Sequence, residues 1–187
     1  MTEEVMIDIE TLDVKPRSVV LSVAAMKFTQ EEGAHLKNIF YKRFDLQSQF
    51  DRGRTVSEDT LRFWMDQPAA VRNEAFGIQT LPCHIVLQEL SKFCEGATNY
   101  WANGPMFDMI ILEDLARQCG IFEQLSWKFY MTRDVRTLAD EAGMDRRWQP
   151  NDFPDEVALG AHHPVADCYA QIEKVRTARD MLPVMGL

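Results

Sequence analysis

The sequence predicts an α/β fold, in which a mixed β-sheet is covered by helices. The first third of the 187 residues is typical of β-structure, with a turn signal, "QEEGAH", between the second and third strand segments. Helical spacing follows from residue 57, and two later strand segments each precede a helix. Strands that first pair antiparallel and then alternate with helices indicate a mixed, layered α/β sheet.

Each element has a local cause. The five predicted strands lie in "EVMIDIE", "SVVLSVAAMKF", "LKNIFYKRFD", "TNYWANG" and "SWKFYMTRDV". Ser57 is a predicted helix cap, and Pro68 is expected in the first turn of the next helix. The segment "LPCHIVLQELSKFC" carries a single apolar stripe made of Val86, Leu90, Phe93 and Cys94. Residues 144–161 are expected to be irregular because they contain two prolines and a glycine.

The bulk composition is that of a globular protein with one domain spanning residues 1–187. Hydrophobic residues make up 46% of the chain and charged residues 26%, and this length suffices to bury a core. The net charge of -9 argues against a protein that grips duplex nucleic acid through a basic surface. A nucleic-acid enzyme whose acidic pocket is neutralised by bound metal remains compatible with this charge.

The sequence also indicates a cytoplasmic location. The N-terminal "MTEEVMIDIE" lacks the basic and apolar regions of a signal peptide, and no apolar run is long enough for a membrane helix. The four cysteines are widely spaced, which favours reduced thiols over disulfides.

Two carboxylates share one face of the first predicted strand, "VMIDIETLD". Because alternate residues of a strand point the same way, Asp8 and Glu10 lie on one side, about 7 Å apart. Burying two like charges without a partner is unfavourable. The strand therefore either lies at an exposed edge with its acidic face in water, or binds a cation there. The strand alone leaves both alternatives open.

Two further acids occupy matched positions near helix starts. In "NGPMFD" and "HHPVAD", Pro105 and Pro164 suit the first helical position, which puts Asp108 and Asp167 in the first turn. The helix dipole favours the ionised form there, and ionised oxygen ligands suit magnesium or manganese. Either acid alone could merely stabilise its helix, but four acids in such positions favour a metal site.

Two adjacent histidines precede the last helix. If Pro164 begins that helix, His163 is near the cap and His162 lies in the preceding loop. An imidazole placed there can serve as a general base for an attacking water. For His163 a capping role is the preferred interpretation.

The segments "DIET", "NGPMFD" and "HHPVAD" together resemble the three motifs of the DEDDh (DnaQ-like, RNase T-like) 3′→5′ exonucleases. Their order and the spacings Asn103–Asp108 and His162–Asp167 are those of the family. The segments "TLRFWMDQ" and "RDVRTLADEAG" further resemble a subgroup of small bacterial exoribonucleases and phage-type single-strand exonucleases. The resemblance implies an RNase H-like five-stranded sheet, three strands antiparallel and then parallel, flanked by helices.

The resemblance implies a divalent-metal-dependent exonuclease that releases nucleoside 5′-monophosphates from the free 3′ end of single-stranded RNA or DNA. Two Mg²⁺ or Mn²⁺ ions would be held by Asp8, Glu10, Asp108 and Asp167, with His162 as the general base. A homodimer is compatible with this family, and no membrane contact is expected.

Substrate contacts are also expected from the resemblance. Leu12, just after the first motif, is a candidate wedge against the terminal base, and Asn103 opens the second motif. Trp64 and Phe107 are further candidates, although helix core positions suit both of them better.

Two alternatives belong to other functional classes. A catalytically silent nucleic-acid-binding module could share the fold, but would have no need of all five motif side chains. An acidic structural or interaction protein would carry the same carboxylates on its surface and bind no metal. A rise in melting temperature with manganese separates the enzyme from the structural protein, and a chelator-sensitive turnover separates it from the silent module.

Overall fold

Among the residues that the structure describes, five strands form one sheet. The computed structural model describes residues 2–31, 33–160 and 162–183, with only the backbone of residues 33–35. The strands, in chain order β1 to β5, are Glu4–Thr11, Val20–Thr29, Gly33–Arg43, Tyr100–Ala102 and Thr132–Asp134. Their spatial order is β3-β2-β1-β4-β5. Strands β1, β2 and β3 are antiparallel neighbours, whereas β4 and β5 run parallel to β1, so the predicted mixed sheet is confirmed.

Strand β1 occupies the centre of the sheet. It pairs with β2 through Asp8 opposite Ala24, and on its other side Met6 pairs with Trp101 of β4. The alternative of an exposed edge strand is therefore wrong. The reason is non-local: β4 supplies a second neighbour from nearly a hundred residues further along the chain, and no local pattern in β1 reports that pairing.

Helices cover both faces of the sheet. In the part of the chain that the structure describes, the α-helices α1 to α7 are Gln47–Phe50, Glu58–Asp66, Ala69–Ala75, Cys83–Cys94, Pro105–Gln118, Val135–Glu141 and Pro164–Met181. Val5, Ile7 and Ile9 of β1 are buried in the cluster that includes residues of α4 and α5. Met6 points to the opposite face, into the cluster formed with α7. The alternation predicted for β1 is thus confirmed.

The structure agrees closely, but not fully, with the element boundaries that the sequence predicts. Ser57 caps α2, and its Oγ accepts a hydrogen bond from the Thr60 N–H at 3.1 Å. Pro68 is the residue before α3 rather than a member of its first turn. The fifth strand is shorter than predicted because Phe129–Met131 form a 3₁₀ turn ahead of it. The described residues between 144 and 160 contain neither helix nor strand, as expected.

Two structural observations relate to the cytoplasmic location that the sequence indicates. The four cysteines are free thiols. Among the residues that the structure describes, no helix combines the length and apolar composition needed to cross a membrane.

A buried arginine joins the segment after β1 to α5. The side chain of Arg54 has no exposed surface and forms an ion pair with Asp114 of α5, Nη1 to Oδ2, at 2.8 Å. Its Nε donates to the Ser18 carbonyl oxygen at 2.6 Å, and Nη1 also donates to Gln118 Oε1 at 2.9 Å. This planar fork fixes the segment that follows the first motif against the helix that carries the second.

We expect Arg54→Lys to lower the free energy of unfolding by about 2 to 4 kcal/mol, because an ammonium cannot reproduce the fork and leaves buried acceptors without donors. Urea denaturation measures the change. Arg62→Lys is the matched control, since Arg62 forms an exposed pair with Glu58, and should change stability by less than about 0.5 kcal/mol. Equal effects of the two substitutions would contradict the structural role of Arg54.

Candidate active site

Four carboxylates converge beside the central strand. Asp8 and Glu10 come from one face of β1, while Asp108 and Asp167 lie in the first turns of α5 and α7. The electrostatic interactions connect the four groups: Asp8 is influenced by the other three. The structure thus brings together all four acids that the motifs single out.

A proline at the first position of each helix determines where Asp108 and Asp167 lie. Pro105 begins α5 and Pro164 begins α7, as the sequence predicts. Asp108 Oδ1 accepts a hydrogen bond from the Ile9 N–H at 3.3 Å, which fixes the start of α5 against β1. The helix start therefore aims its carboxylate at the strand that carries the other two acids.

The tightest group of possible ligand atoms within the described chain comprises Glu10, Asp167 and His162. One atom of each lies within 4.8 Å of the other two. Asp8 and Asp108 stand around this group, and Gln171 Nε2 donates to Asp8 Oδ1 at 2.8 Å. Such an oxygen-rich set suits a hard divalent cation.

Desolvation and mutual repulsion disfavour ionisation of these acids. Burial, followed by repulsion from Asp108, raises the pKa of Asp8 well above its ordinary value. Burial and the charges of Asp167 and Asp108 raise the pKa of Glu10 to about 9. Burial also raises the pKa of Asp108 to about 7 and that of Asp167 to about 6, the latter opposed by His162. A bound cation would offset this burial and repulsion and favour the ionised carboxylates, so the residues fit a divalent metal site.

Gln171 is a site residue that the sequence reasoning missed. It lies four residues after Asp167, on the same face of α7, and its side chain is buried. Its Oε1 has no hydrogen-bond partner among the described residues. The signal was available, because a polar residue one helical turn beyond a metal-site acid faces the same side.

His162 lies in the loop before α7, as predicted, and its backbone is in the left-handed region with φ +60°. This conformation is strained for a residue other than glycine by about 1 kcal/mol or more. Its ring meets the Phe63 ring of α2 nearly edge-on, with centroids 5.0 Å apart. Contacts in the folded chain thus hold the imidazole beside Glu10 and Asp167.

His163 is the helix cap, as predicted. Its Nδ1 accepts the Val165 N–H at 3.2 Å, so that nitrogen carries no proton. Its Nε2 lies 3.4 Å from Glu74 Oε1, and its ring packs against Tyr41 with centroids 4.8 Å apart. Burial lowers the pKa of His163, which favours the neutral ring. Both ring nitrogens are engaged, so His163 is not free to accept a proton from water.

A cavity of about 330 Å³ opens beside Glu10. Phe63, Phe107 and the exposed side chain of Val14 contribute to its apolar wall. Trp64 also borders it but is 2% exposed, and its indole N–H donates to the Thr11 carbonyl oxygen at 2.9 Å. Trp64 is therefore largely a core residue, consistent with the interpretation that the sequence favoured.

Leu12 is placed differently from the expectation. It is 3% exposed and packs in a buried cluster with Val19, Leu21 and Trp64, so it presents no surface to the cavity. The strand bulges between Glu10 and Thr11, and Val14, two residues beyond Leu12, lines the cavity instead. A bulge changes which side chain points into a site, and the sequence gives no sign of it.

A second cavity, of about 240 Å³, lies on the α7 side of the carboxylates. Asp8, Asp167 and His162 line it, together with Asn103 and Gln171. Asn103 is thus at the site, in a cavity that has no lining residue in common with the apolar cavity. A third cavity, of about 550 Å³, is bordered by His162, Asp167 and the loop residue Phe153.

The fold and the site together define an RNase H-like domain of the 3′-5′ exonuclease class. Residues 3–179 match the sequence profile of the 3′-5′ exoribonuclease Rv2179c-like domain, and the chain belongs to this family. The protein is thus assigned to an enzyme family of nucleases. No curated protein matches the chain in sequence.

Solved structures of exonuclease I share the fold. The chain is 14% identical to a moderately thermophilic exonuclease I from Methylocaldum szegediense, with a TM-score of 0.69, covering 98% of this chain and 42% of that one. A zinc-bound complex of E. coli exonuclease I with single-stranded DNA is 15% identical, with a TM-score of 0.65, covering 98% and 41%. The chain therefore spans about two fifths of the length of these proteins.

We expect Asp8→Asn to stabilise the metal-free protein at pH 8, by a few degrees of melting temperature, because it removes a carboxyl group whose pKa is raised well above its ordinary value by burial and by the neighbouring acids. The raised pKa values of Asp167, Asp108 and Glu10, about 6, 7 and 9, make the folded state hold more protons than the unfolded state. Their contribution to stability is present below about pH 4 and is lost as pH rises through 6 to 9. The stabilisation should therefore be larger at pH 8 than at pH 5.

Thermal melts in chelator at both pH values measure this change. Asp155→Asn is the control, since Asp155 is exposed in a loop, and it should leave the pH dependence unaltered. A loss of stability at pH 8 in Asp8→Asn would contradict mutual repulsion at this site.

Proposed function

We propose that this protein removes nucleoside 5′-monophosphates one at a time from the 3′ end of single-stranded nucleic acid. The observation that carries the proposal is the convergence of four carboxylates with His162, beside an open cavity of about 330 Å³. The family's description names exoribonucleases, which favours RNA as the substrate.

Asp8, Glu10, Asp108 and Asp167 are the residues that would hold two divalent cations, Mg²⁺ or Mn²⁺. Their hard oxygen ligands and their raised pKa values support this assignment, because a cation restores the ionised state of all four. When bound, such ions make a water more acidic and stabilise the charge on the departing 3′-oxygen.

His162 is the general base in this proposal. Its imidazole borders the same cavity as Asp8 and Asp167, whereas His163 has both ring nitrogens engaged. The imidazole takes a proton from the attacking water, whose oxygen bonds to the terminal phosphorus. The bond from phosphorus to the 3′-oxygen of the preceding nucleotide breaks, and that oxygen receives a proton. The products are a 5′-monophosphate and a strand with a new 3′-hydroxyl.

The apolar cavity is the proposed site of the terminal base. Phe63 and Phe107 offer aromatic surface, and Val14 offers an exposed apolar side chain that can meet a base face. Stacking of this kind requires an unpaired base. The E. coli relative was solved in complex with single-stranded DNA, which supports a single-stranded substrate here.

The direction of cleavage tests the proposed exonuclease function. We expect 5′-labelled single strands of matched RNA and DNA to shorten as a ladder from the 3′ end, with magnesium or manganese and not with chelator. A strand that ends in a 3′-phosphate should resist, because the four acids at the site repel a further anion. Cleavage of a circular single strand at a comparable rate would exclude an exonuclease.

The two histidines give a residue-level test. We expect His162→Ala to lower the single-turnover rate by about a hundred-fold to ten-thousand-fold, the usual range for a lost general base. The rise in melting temperature with manganese should persist, since the four acids remain. His163→Ala is the matched neighbour and should cost about 1 kcal/mol of stability through the lost cap, with a much smaller loss of rate.

Two results would revise the assignment. If His162→Ala abolished the manganese-induced rise in melting temperature, His162 would be a metal ligand rather than the base. If His163→Ala were the more severely impaired enzyme, the position assigned to the base would be wrong.

A further inference from the structure

A groove continues from the second carboxylate-lined cavity, which has no lining residue in common with the apolar cavity. The cavity lined by Asp8 and Asp167 shares Asn103, Arg146 and Lys174 with a neighbouring cavity of about 400 Å³. The two cavities are therefore contiguous. The outer one is completed by Arg136, Ala139 and Asp140.

Along this groove, the side chains on one face of α7 change from acidic to neutral to basic. Asp167, Gln171 and Lys174 lie at helical spacing i, i+4 and i+7, so they share a face. Lys174 is about 10 Å along the helix axis from Asp167. The groups on this face are therefore, in order along the helix, a carboxylate, an amide and an ammonium. Lys174 Nζ donates to the Arg146 carbonyl oxygen at 2.9 Å, which leaves two of its three N–H donors for another partner.

Arg136 extends the cationic wall from α6. It is an exposed residue, and within the described part of the chain its guanidinium has no hydrogen-bond acceptor or ion-pair partner. It reaches across Gly104, where a Cβ would lie 3.0 Å from Arg136 Nη1. Gly104 precedes α5, so the guanidinium stands close to the helix start that carries Asp108.

The outer part of the groove has more positive than negative charge. It contains three cationic side chains and one carboxylate, Asp140, whose Oδ2 is 3.1 Å from Arg146 Nη2. The chain as a whole carries a net charge of -9. A local excess of positive charge on an acidic protein, directly beside a site for phosphoryl chemistry, attracts a polyanion.

We propose that Arg136, Arg146 and Lys174 form a binding site for the phosphodiesters of the strand on the 5′ side of the cleaved bond. This site rests on the proposed exonuclease function and deepens it, because it makes strands of several nucleotides the preferred substrate class. The terminal base enters the apolar cavity on the Glu10 side. The remaining strand then leaves past Asp8 and Asp167 into the groove, where its phosphates meet the cationic side chains.

The test compares a dinucleotide with a ten-nucleotide strand of the same base. We expect kcat/KM of the wild-type protein to be at least ten-fold higher for the longer strand at low salt. It should fall with added salt on a logarithmic slope of about -2, since each phosphate neutralised on a single strand contributes about -0.7. Arg136→Gln and Lys174→Gln should each make the slope shallower by about 0.7 and reduce the length preference several-fold.

Lys92→Gln is the matched control, because Lys92 is exposed on α4, the helix that packs on the opposite face of the sheet. It should keep the slope and length preference of the wild type. Melting temperatures identify any loss of folding in Lys174→Gln, which removes a donor to the Arg146 carbonyl. Arg136→Gln removes no hydrogen bond within the described chain, and it keeps the test decisive.

The outcomes separate this site from the function on which it rests. If the wild type cleaves both strands but neither Arg136→Gln nor Lys174→Gln differs from Lys92→Gln, the phosphodiester site is overturned and the exonuclease stands. If the wild type cleaves nothing, the exonuclease falls. In that case, the salt dependence of binding is measured by fluorescence anisotropy of the ten-nucleotide strand. Its logarithmic slope in the wild type and in the variants still decides whether these cationic residues bind the strand.

Discussion

Repulsion among four carboxylates at the central strand is the constraint on which this site depends. Asp8 and Glu10 stand on one strand face, and two helix starts bring Asp108 and Asp167 toward them. Burial is the first cause of the raised pKa values of all four groups, and repulsion from the neighbouring acids adds to it at Asp8 and Glu10. The divalent cations of the proposed function would offset this unfavourable burial of acids.

Contacts outside the carboxylate group hold the site together. Tyr41 donates its hydroxyl to Glu74 Oε1 at 3.0 Å, Arg43 forms an ion pair with the same oxygen, and His163 stands beside it. This partly buried arrangement anchors the cap of α7 to β3 and α3. It stabilises the loop in which His162 adopts its left-handed conformation. The general base of the proposed reaction is thus positioned by residues that touch neither metal nor substrate.

An acidic protein can act on an acidic polymer when its charges are separated in space. The carboxylates are confined to the point where cations are expected, and the exposed arginines and lysine lie along the groove beyond it. Net charge alone excludes binding through a broad basic surface, and it carries no information about such a local division. For binding close to the site, the local distribution of charge is therefore more important than the net charge of the chain.

The sequence by itself determined the parts of this protein that depend on local periodicity. Strand alternation put Asp8 and Glu10 on one face, and each proline set an acid three residues later in a first helical turn. The resemblance of these motifs, in this order, to those of a known exonuclease family implied the fold. Only the tertiary structure decided that β1 is central and that Leu12 is buried while Val14 faces the cavity. It alone joined Gln171 to Asp8 and gathered the cationic groove, because these arrangements depend on strand pairing, a bulge and helix packing between residues far apart in sequence.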